Sequence, residues 1–485
     1  MALTIGVDIG TSAAKALVLD PGTGVVGRGS AAHPTHTPGP GQAEQDPRAW
    51  WTATVAAVRQ AVKDVRPADV SAIAVSGQGA ALVLLDDAGE PLRPALIHLD
   101  QRAADEAAEL SGGGLGAAVM AASGNRVGAW NLAAKLTWVR RHEPGLLART
   151  AHVTSAAGYV LSRLAGRQAQ NVSDAGISDL FDLGARGWSG QVPAELGLSD
   201  KLLPPLYAPT EAIGGLSPAA ARELGLPPDV RVVAGGEDTS AAALAVGVLH
   251  PGDAYLSLGT AGVVGVAVGP GARHEPRLLT FPHVRDGLDL LSGSMTSAGA
   301  AIAWLAEVTG TDPAGLLAAA ESAPAGADGV VFLPYLAGEL HPIDDPAARG
   351  VFSGLSLVTG QAQLARAVVE GSAGAVAHNL SVARAAGAAP ARLAATGRPT
   401  ASGAWMQAVA DATGVPVDVH AGDGAPLGDA LLAAAGTDGA LPELVRAHSR
   451  VEATYQPDPA GQRAAAARRR IAAALYEATR SGDEH

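Results

Sequence analysis

The sequence predicts an α/β protein built from two large domains. The chain has 485 residues, more than one hydrophobic core usually supports, and 48% of them are hydrophobic. Short apolar runs alternate with stretches of helical composition, which is typical of sheets covered by helices. Two hairpin patterns of the same design, about one domain length apart, favour two related halves. We therefore expect domains at residues 1–248 and 249–485, with a cleft between them.

The first hairpin pattern lies close to the N-terminus. Apolar runs at residues 3–8 and 16–20 flank the turn Gly10-Thr11-Ser12, which predicts a strand, a small-residue turn and a second strand. A third apolar run, at residues 24–29, extends the pattern to a meander. The next predicted strand, residues 70–76, ends in Gly77-Gln78-Gly79.

The second hairpin pattern occupies residues 253–264, where Gly259-Thr260-Ala261-Gly262 separates two apolar runs. The amides and the threonine hydroxyl of such a turn can hold phosphate oxygens, although Gly-Thr turns between strands are also common without any ligand. The chain contains no GxxxxGK[ST] segment and no strand-linked GxGxxG. Neither a P-loop nor a Rossmann nucleotide site is therefore favoured.

The run from Arg231 to Gly247 lies between the two hairpins and centres on Asp238. An apolar burst at residues 231–234 is followed by Gly235-Gly236 and by Glu237-Asp238-Thr239-Ser240, which predicts a strand, a tight turn and a helix start. The free amides of a helix start favour a nearby anion, so Asp238 would be a carboxylate directed at a ligand. An ordinary helix cap explains the same residues, because Asp, Thr and Ser are favoured caps.

The bulk composition excludes several kinds of partner. A net charge of −13 and a pI near 5.4 argue against binding to nucleic acid or to an anionic membrane surface. The absence of cysteine excludes disulfides and thiolate sites and is consistent with a cytoplasmic protein. We expect neither a signal peptide, since Asp8 interrupts the first apolar run, nor a membrane span. No His/Asp/Glu cluster has transition-metal spacing.

Several longer blocks have a recognisable order. Residues 350–371, GVFSGLSLVTGQAQLARAVVEG, fit a long C-terminal signature, and residues 130–143 fit an N-terminal signature less well. The second block keeps Lys135, Trp138 and His142 but has Leu132 and Ala134 where Ser/Thr and Pro are usual. Further matches are VDIGTS, AEQDPRAWW, SGQ, LDQR, SDLFDL, GGEDT, LSLGT and FLPYLAGE. On these blocks the chain resembles the FGGY carbohydrate kinases, most closely their xylulose kinase branch, over nearly its full length.

The resemblance implies a pair of actin/hexokinase-like (ribonuclease H-like) domains that close on ATP and a sugar. It also implies ATP-dependent phosphorylation of a primary hydroxyl, on a ketopentose such as D-xylulose. The alternatives are a kinase for another sugar or a polyol such as a tetritol, or a nucleotide-dependent sensing protein of the same fold without turnover. Dimers are common in the family, so a homodimer is a further expectation.

The resemblance also assigns roles to individual residues. Asp238 stands where the family has its general base, and Mg²⁺ would be held by Asp8 and Asp238, partly through water. The residues expected to bind ATP are Gly10, Thr11, Ser12, Lys15, Gly259, Thr260, Gly262, Gly397, Arg398 and Ser402. The residues expected to bind the sugar are Gln78, Gly79, Ala80, Asp100, Thr239 and Glu339.

Three departures from the family pattern affect the sugar side. Gly79-Ala80-Ala81 replaces the usual Met-His-Gly, so a donor and some bulk are lost and a roomier pocket is predicted. Thr239 replaces an Asn, and His98-Leu99-Asp100 replaces Trp-Asn-Asp. Both His98 and His341 are either pocket donors or packing residues.

One departure affects the nucleotide side. The usual Gly-Gly-Gly near the adenosine is Gly397-Arg398-Pro399. Arg398 either stacks on adenine or contacts a phosphate, or it points to solvent, and Pro399 limits how the loop bends.

Overall fold

The computed structural model describes residues 2–272, 274–437 and 440–480. The strands, in chain order, are β1 (Leu3–Ile9), β2 (Ala13–Asp20), β3 (Gly24–Ala32), β4 (Glu44–Gln45), β5 (Val70–Gly77), β6 (Val83–Leu85), β7 (Ala95–Leu96), β8 (His152–Thr154), β9 (Gln170–Asn171), β10 (Phe181–Asp182), β11 (Gly187–Trp188), β12 (Leu206–Tyr207), β13 (Ala212–Gly215), β14 (Arg231–Glu237), β15 (Ala254–Leu258), β16 (Gly262–Val268), β17 (Leu279–Pro282), β18 (Asp289–Met295), β19 (Val331–Leu333), β20 (Val351–Ser353), β21 (Leu393–Thr396), β22 (Val417–His420) and β23 (Val451–Tyr455).

The α-helices, in the same order, are α1 (Pro47–Ala61), α2 (Ala104–Ser111), α3 (Gly114–Ser123), α4 (Leu132–His142), α5 (Pro144–Leu147), α6 (Ala156–Ala165), α7 (Val172–Gly176), α8 (Gln191–Glu195), α9 (Pro218–Leu224), α10 (Asp238–Ala245), α11 (Gly299–Thr309), α12 (Pro313–Ser322), α13 (Gln361–Ala385), α14 (Gly403–Thr413), α15 (Gly424–Ala435), α16 (Leu441–His448) and α17 (Pro459–Thr479).

The first sheet has the strand order β13-β14-β5-β1-β2-β3. Strands β14, β5 and β1 run parallel, whereas β2 and β3 continue the sheet in antiparallel fashion. Every residue of β1 is buried, because helices cover both faces of the sheet there. The predicted N-terminal hairpin and meander are therefore confirmed.

The second sheet repeats this arrangement, with the order β17-β18-β16-β15-β21-β22-β23. Here β22, β21 and β15 are parallel, and β16 and β18 follow β15 in antiparallel pairing. Each sheet thus carries one hairpin whose first strand also pairs with a parallel neighbour. This shared topology confirms the α/β prediction of two related halves.

Two helices cross between the sheets. Helix α10 follows β14 of the first sheet, yet its Ala243 lies in one apolar cluster with Tyr255 of β15. Helix α15 follows β22 of the second sheet and packs on β1, where a Cβ at Gly6 would lie 1.9 Å from the carbonyl oxygen of Pro426. Because α15 returns to the first sheet, the division at residues 1–248 and 249–485 stays a prediction.

The last helix, α17, carries one arginine whose side chain is largely buried. The side chain of Arg468 is only 14% exposed, and its Nη1 lies 2.9 Å from Oε2 of the buried Glu370. Glu370 also accepts a hydrogen bond from Arg366 at 2.8 Å. Arg468 therefore fixes the helix to the second domain. Within the described ranges, none of the helices has the length and apolar character that crossing a membrane requires.

Candidate active site

Asp8 lies near the carboxyl end of β1, beside the turn of the first hairpin. Its side chain is buried, and Oδ2 lies 3.5 Å from the ammonium nitrogen of Lys15. Burial and the negative charge of Asp238 raise the pKa of Asp8 to about 7, while Lys15 lowers it. Oδ1 is buried and has no hydrogen-bond partner among the described residues. A buried carboxylate oxygen without a partner fits an oxygen-seeking cation such as Mg²⁺.

Gln45 supports the turn of the first hairpin by hydrogen bonding. Its amide nitrogen donates to the carbonyl oxygen of Thr11 at 2.7 Å, and its Oε1 accepts from Trp50 and from Gln78 at 2.7 and 2.8 Å. In the part of the chain that the structure describes, the amides of Thr11 and Ser12 donate to no protein group. These amides are therefore available to phosphate oxygens. Gln45 was not among the predicted site residues, although the AEQDPRAWW block contains it.

Asp238 is the first residue of helix α10, as predicted, but it does not cap the helix. The cap is Glu237, whose Oε2 accepts from the amide of Ser240 at 2.8 Å. Asp238 is partly exposed, and its Oδ1 accepts from the hydroxyl of Thr239 at 3.1 Å. The capping role falls to the preceding residue, so the carboxylate of Asp238 is not engaged by the amides of the helix start.

The backbone before Asp238 is a bulge in strand β14 rather than the predicted tight turn. The strand continues to Glu237, with a register shift against β5 between Val233 and Gly236. Gly235 has φ +72°, and a Cβ there would lie 2.1 Å from the carbonyl oxygen of Val75. Only glycine combines this left-handed backbone with so close an approach.

The loop from Gln78 to Ala80 follows β5 and is supported by a buried lysine. Lys135 donates to the carbonyl oxygens of Ala80 and Ile97 at 2.8 and 2.9 Å, and burial lowers its pKa to about 7. The roomier pocket stays a prediction, but Ile177 lies close to Gly79. A Cβ at Gly79 would lie 2.8 Å from Cδ1 of Ile177, so this side chain occupies the space.

Asp100 and His98 lie in the next loop, in two different environments. Both oxygens of Asp100 are occupied, because Arg102 donates to each at 2.8 Å and the amide of Ala43 donates to Oδ2 at 2.7 Å. His98 has a buried Nδ1 without a partner among the described residues. Burial lowers the pKa of His98, whereas the charge of Asp238 raises it. His98 therefore lies within electrostatic reach of the predicted base.

The turn of the second hairpin is placed on the start of helix α11. The carbonyl oxygen of Thr260 accepts from the amides of Ala298 and Ala300 at 3.1 and 3.0 Å, and that of Gly259 accepts from Gly299 at 2.9 Å. A Cβ at Gly299 would lie 2.5 Å from the Gly259 oxygen, so glycine permits this contact. Gly259 and Thr260 are both exposed.

The loop that carries Arg398 lies beside this hairpin. Gly397 has φ +108°, and a Cβ there would lie 1.9 Å from the carbonyl oxygen of Leu258 at the end of β15. Arg398 opens a short 3₁₀ turn, is exposed, and forms no ion pair with any described residue. Ser402 caps α14, since its hydroxyl accepts from Trp405 and donates to Glu321 at 3.1 Å. The ATP roles of these residues stay predictions.

Glu339 lies in the segment between β19 and β20. Its Oε1 accepts from the amides of Thr296 and Leu340, both at 2.9 Å. Burial raises the pKa of Glu339 to about 7, while these amides lower it. Nδ1 of His341 accepts from the amide of Ser294 at 3.2 Å, which makes His341 a packing residue on that side of its ring. The described residues contain no group of three or more His, Asp or Glu side chains that could hold a metal ion.

One buried acid near the site escaped the sequence analysis. Asp429 of α15 has Oδ2 2.5 Å from the hydroxyl of Ser76 in β5. A lone acid inside the apolar segment LGDALLAAA was the only local signal, and its partner lies 353 positions away in the chain.

Two family models match almost the whole of this framework. The N-terminal domain of the FGGY family of carbohydrate kinases matches residues 3–245, and its C-terminal domain matches residues 254–437. The chain belongs to the FGGY family of carbohydrate kinases. The resemblance read from the sequence blocks is thereby confirmed. Membership makes the chain a carbohydrate kinase, with ATP as the phosphate donor that the family implies.

Individual relatives agree with this assignment. A xylulose kinase of Escherichia coli (strain K12) is 35% identical over 479 residues, which span 98% of each chain. The crystal structure of a xylulose kinase from Rhodospirillum rubrum superposes with a TM-score of 0.91 at 34% identity, covering 98% of both chains. A gluconate kinase from Lactobacillus acidophilus has a TM-score of 0.92 with 98% coverage of both chains, but at 23% identity it shows the fold alone. The actin/hexokinase-like FGGY fold is confirmed.

Proposed function

We propose that this carbohydrate kinase transfers the γ-phosphoryl group of ATP to a primary hydroxyl of D-xylulose or a closely similar ketopentose. The substrate class is supported by the full-length similarity to the E. coli xylulose kinase. The chemistry is supported by one observation above all. Asp238 stands at the start of α10 with its carboxylate not used for capping, because Glu237 caps the helix.

Asp238 acts as the general base of this reaction. The positive end of the α10 dipole and the hydroxyl of Thr239 stabilise its negative charge. As the sugar oxygen forms its bond to the γ-phosphorus, its proton passes to the Asp238 carboxylate. The bond between the γ-phosphorus and the bridging oxygen breaks, and ADP leaves with that electron pair.

The two hairpins hold the phosphates from opposite sides. In the first, Thr11 and Ser12 offer free backbone amides, Gly10 closes the turn by donating to Ala13, and the exposed Lys15 adds a positive charge. In the second, the exposed turn at Gly259 and Thr260, with Gly262 behind it, rests on the start of α11. Gly397, Arg398 and Ser402 lie next to this hairpin and would hold the adenosine.

Asp8 and Asp238 would hold Mg²⁺, partly through water. The unpartnered Oδ1 of Asp8 supports this role. When bound, the cation would neutralise charge on the phosphate oxygens, which phosphoryl transfer requires. Before a cation binds, the charge of Lys15 favours the ionised form of Asp8.

The sugar would lie between the loop after β5 and the start of α10, held by Gln78, Gly79, Ala80, Asp100, Thr239 and Glu339. The pairing of Asp100 with Arg102 limits it to shaping the loop unless a hydroxyl displaces one of these bonds. Near Asp238, the unpartnered Nδ1 of His98 offers a further polar contact for a sugar hydroxyl.

We also propose that the protein works in the cytoplasm as a homodimer. The absence of cysteine supports a reducing compartment. Light scattering on the purified protein would measure its mass in solution. A mass of one chain would contradict the dimer.

A coupled assay of ADP release over a panel of ketoses, aldoses and polyols tests the proposed function. We expect D-xylulose to turn over and Asp238→Asn to lower kcat by about 10²–10⁴-fold, the usual contribution of general base catalysis. Asp458→Asn is the matched control, because Asp458 is an exposed helix cap and asparagine caps equally well. Turnover of another sugar alone would contradict the substrate, and release no higher than that of Asp238→Asn for every compound would contradict the kinase mechanism.

A further inference from the structure

Helix α15 carries one acidic residue on a face that is otherwise apolar. Asp429 is fully buried, and its neighbours Ala430 and Leu431 belong to the apolar cluster between the helix and the first sheet. Its Oδ1 is buried and has no partner among the described residues. Burial of a carboxylate costs free energy that an alanine at the same place would not cost. A role in packing alone therefore does not explain this residue.

The partner of Asp429 occupies the central position of the site. Ser76 donates to Oδ2 of Asp429 at 2.5 Å. In the sheet, Ser76 lies opposite Asp8 of β1 on one side and opposite Gly236 of β14 on the other. Gly236 precedes Asp238 by two residues. Ser76 thus stands in the strand between β1, which carries the proposed magnesium carboxylate, and β14, which leads to the proposed base.

The body of helix α15 touches both of these elements. A Cβ at Gly6 of β1 would lie 2.9 Å from Cβ of Asp429, and a Cβ at Gly428 would lie 2.0 Å from the carbonyl oxygen of Ala241 in α10. Burial raises the pKa of Asp429 well above its ordinary value, Ser76 lowers it, and the charges of Asp8 and Asp238 raise it further. Both carboxylates are therefore within electrostatic reach of Asp429.

We propose that Asp429 is a positioning residue for phosphoryl transfer, which holds Ser76 and thereby fixes the spacing between Asp8 and Asp238. The inference rests on the proposed function of these two carboxylates. Asp429 touches neither substrate, because it lies beneath the sheet end and acts through Ser76. It also connects the first domain to a helix that begins close to the nucleotide side, since a Cβ at Gly422 would lie 3.5 Å from Oγ1 of Thr396.

The substitution Asp429→Ala tests the role directly. We expect kcat to fall by about 10- to 100-fold, the usual effect of removing an outer partner of a metal-binding carboxylate. The concentration of Mg²⁺ needed for half-maximal rate should rise, and the KM for the sugar should stay unchanged. The Tm should stay the same or rise, because a buried charge is replaced by a small apolar side chain that suits this helix.

Two further variants identify the hydrogen bond as the cause. Asp429→Asn keeps an oxygen that accepts from Ser76, so it should restore most of kcat. Ser76→Ala should reproduce the loss, and the double variant Ser76→Ala/Asp429→Ala should lose no more than either single one. Asp411→Ala is the matched control, since Asp411 is also a buried helix aspartate but accepts from the amide of Asp458. It should lower the Tm and leave kcat unchanged.

The outcomes separate the inference from the proposed function. An active wild-type protein whose Asp429→Ala variant keeps its kcat and Mg²⁺ dependence would overturn the inference alone. Additive losses for Ser76→Ala and Asp429→Ala would do the same. A wild-type protein that releases no ADP with any sugar would overturn the proposed function, and the inference with it.

Discussion

Strands β1 and β15 occupy equivalent places in the two sheets. At one pair of facing residues, however, the glycine lies on the first strand of one hairpin and on the second strand of the other. In the first hairpin Gly6 lies across from Leu17, and in the second Tyr255 lies across from Gly265. The bare backbone at Gly6 lets α15 approach β1, whereas the ring of Tyr255 fills the corresponding layer beside α10. One topology therefore brings a helix onto bare backbone in one half and beside a tyrosine ring in the other.

The same pair of hairpins differs in charge. Asp8 lies opposite Lys15 in the first hairpin, and the corresponding pair in the second is Ser257 and Val263. Both turns can present amides to phosphate, but only the first adds a carboxylate and an ammonium group. Under the proposed function, both halves would bind phosphate and the first half would also supply the charged groups.

The largest effect is expected from the comparison of Asp8→Asn with Ser257→Ala. We expect Asp8→Asn to lower kcat by about 100-fold or more, because a charged group aimed at the phosphates is lost. Ser257→Ala should change kcat only slightly. Rates measured across a Mg²⁺ titration check both. Equal losses for the two variants would contradict the assignment of charge handling to the first half.

The next prediction concerns how the stability of the ligand-free protein depends on pH. Burial raises the pKa of Asp174 to about 7, while Ser155, by hydrogen bonding, lowers it. Between its unfolded and folded pKa values the folded chain holds a proton that the unfolded chain has released. This contribution to stability is present at low pH and is lost as the pH rises through about 7. From pH 8 to pH 5 the free energy of unfolding should gain about 2–3 kcal/mol from this group.

The variant Asp174→Asn should lose this part of the pH dependence of the free energy of unfolding. Urea unfolding at pH 5, 6, 7 and 8 measures it. The control is Asp312→Asn at an exposed helix cap, which should keep the wild-type slope. Parallel curves for Asp174→Asn and the wild type would show that Asp174 does not titrate in this range.

A smaller effect should follow from adding a methyl group to each hairpin. Gly6→Ala would place Cβ 1.9 Å from the carbonyl oxygen of Pro426, so we expect a loss of about 1–3 kcal/mol as α15 is displaced. At Gly265 the nearest atom is Cδ1 of Tyr255 at 3.5 Å, an ordinary contact. Gly265→Ala should therefore unfold at nearly the wild-type denaturant concentration. If Gly6→Ala were equally stable, α15 would not be fixed by this approach.

The smallest effect concerns Arg398 in the second half. Arg398→Ala should raise the KM for ATP by about two- to fivefold, as expected from the loss of one exposed stacking or phosphate contact, and should leave the Tm unchanged. Arg222→Ala, at another exposed arginine, is the control and should change neither quantity. An unchanged KM for Arg398→Ala would show that the side chain points to solvent.

Local sequence was sufficient wherever the deciding contacts lie within a few residues. The strands around each Gly-Thr turn and the helix start at Asp238 were predicted, because turn and helix-start preferences act over one or two turns of chain. The neighbour that a Cβ at Gly79 would meet, Ile177, comes from a distant segment, so the sequence around Gly79 does not indicate it. The ion pair of Arg468 could not be read locally, since its partner Glu370 belongs to another helix.

The sequence by itself determined the family, the paired hairpins and the helix start at Asp238, because each depends on contiguous blocks of residues. Only the tertiary structure decided that Glu237 caps the helix, that Gln45 supports the first phosphate turn, and that Asp429 reaches Ser76. These contacts depend on where strands and crossing helices meet in space, and burial and hydrogen bonding at such meeting points leave little local pattern in the chain.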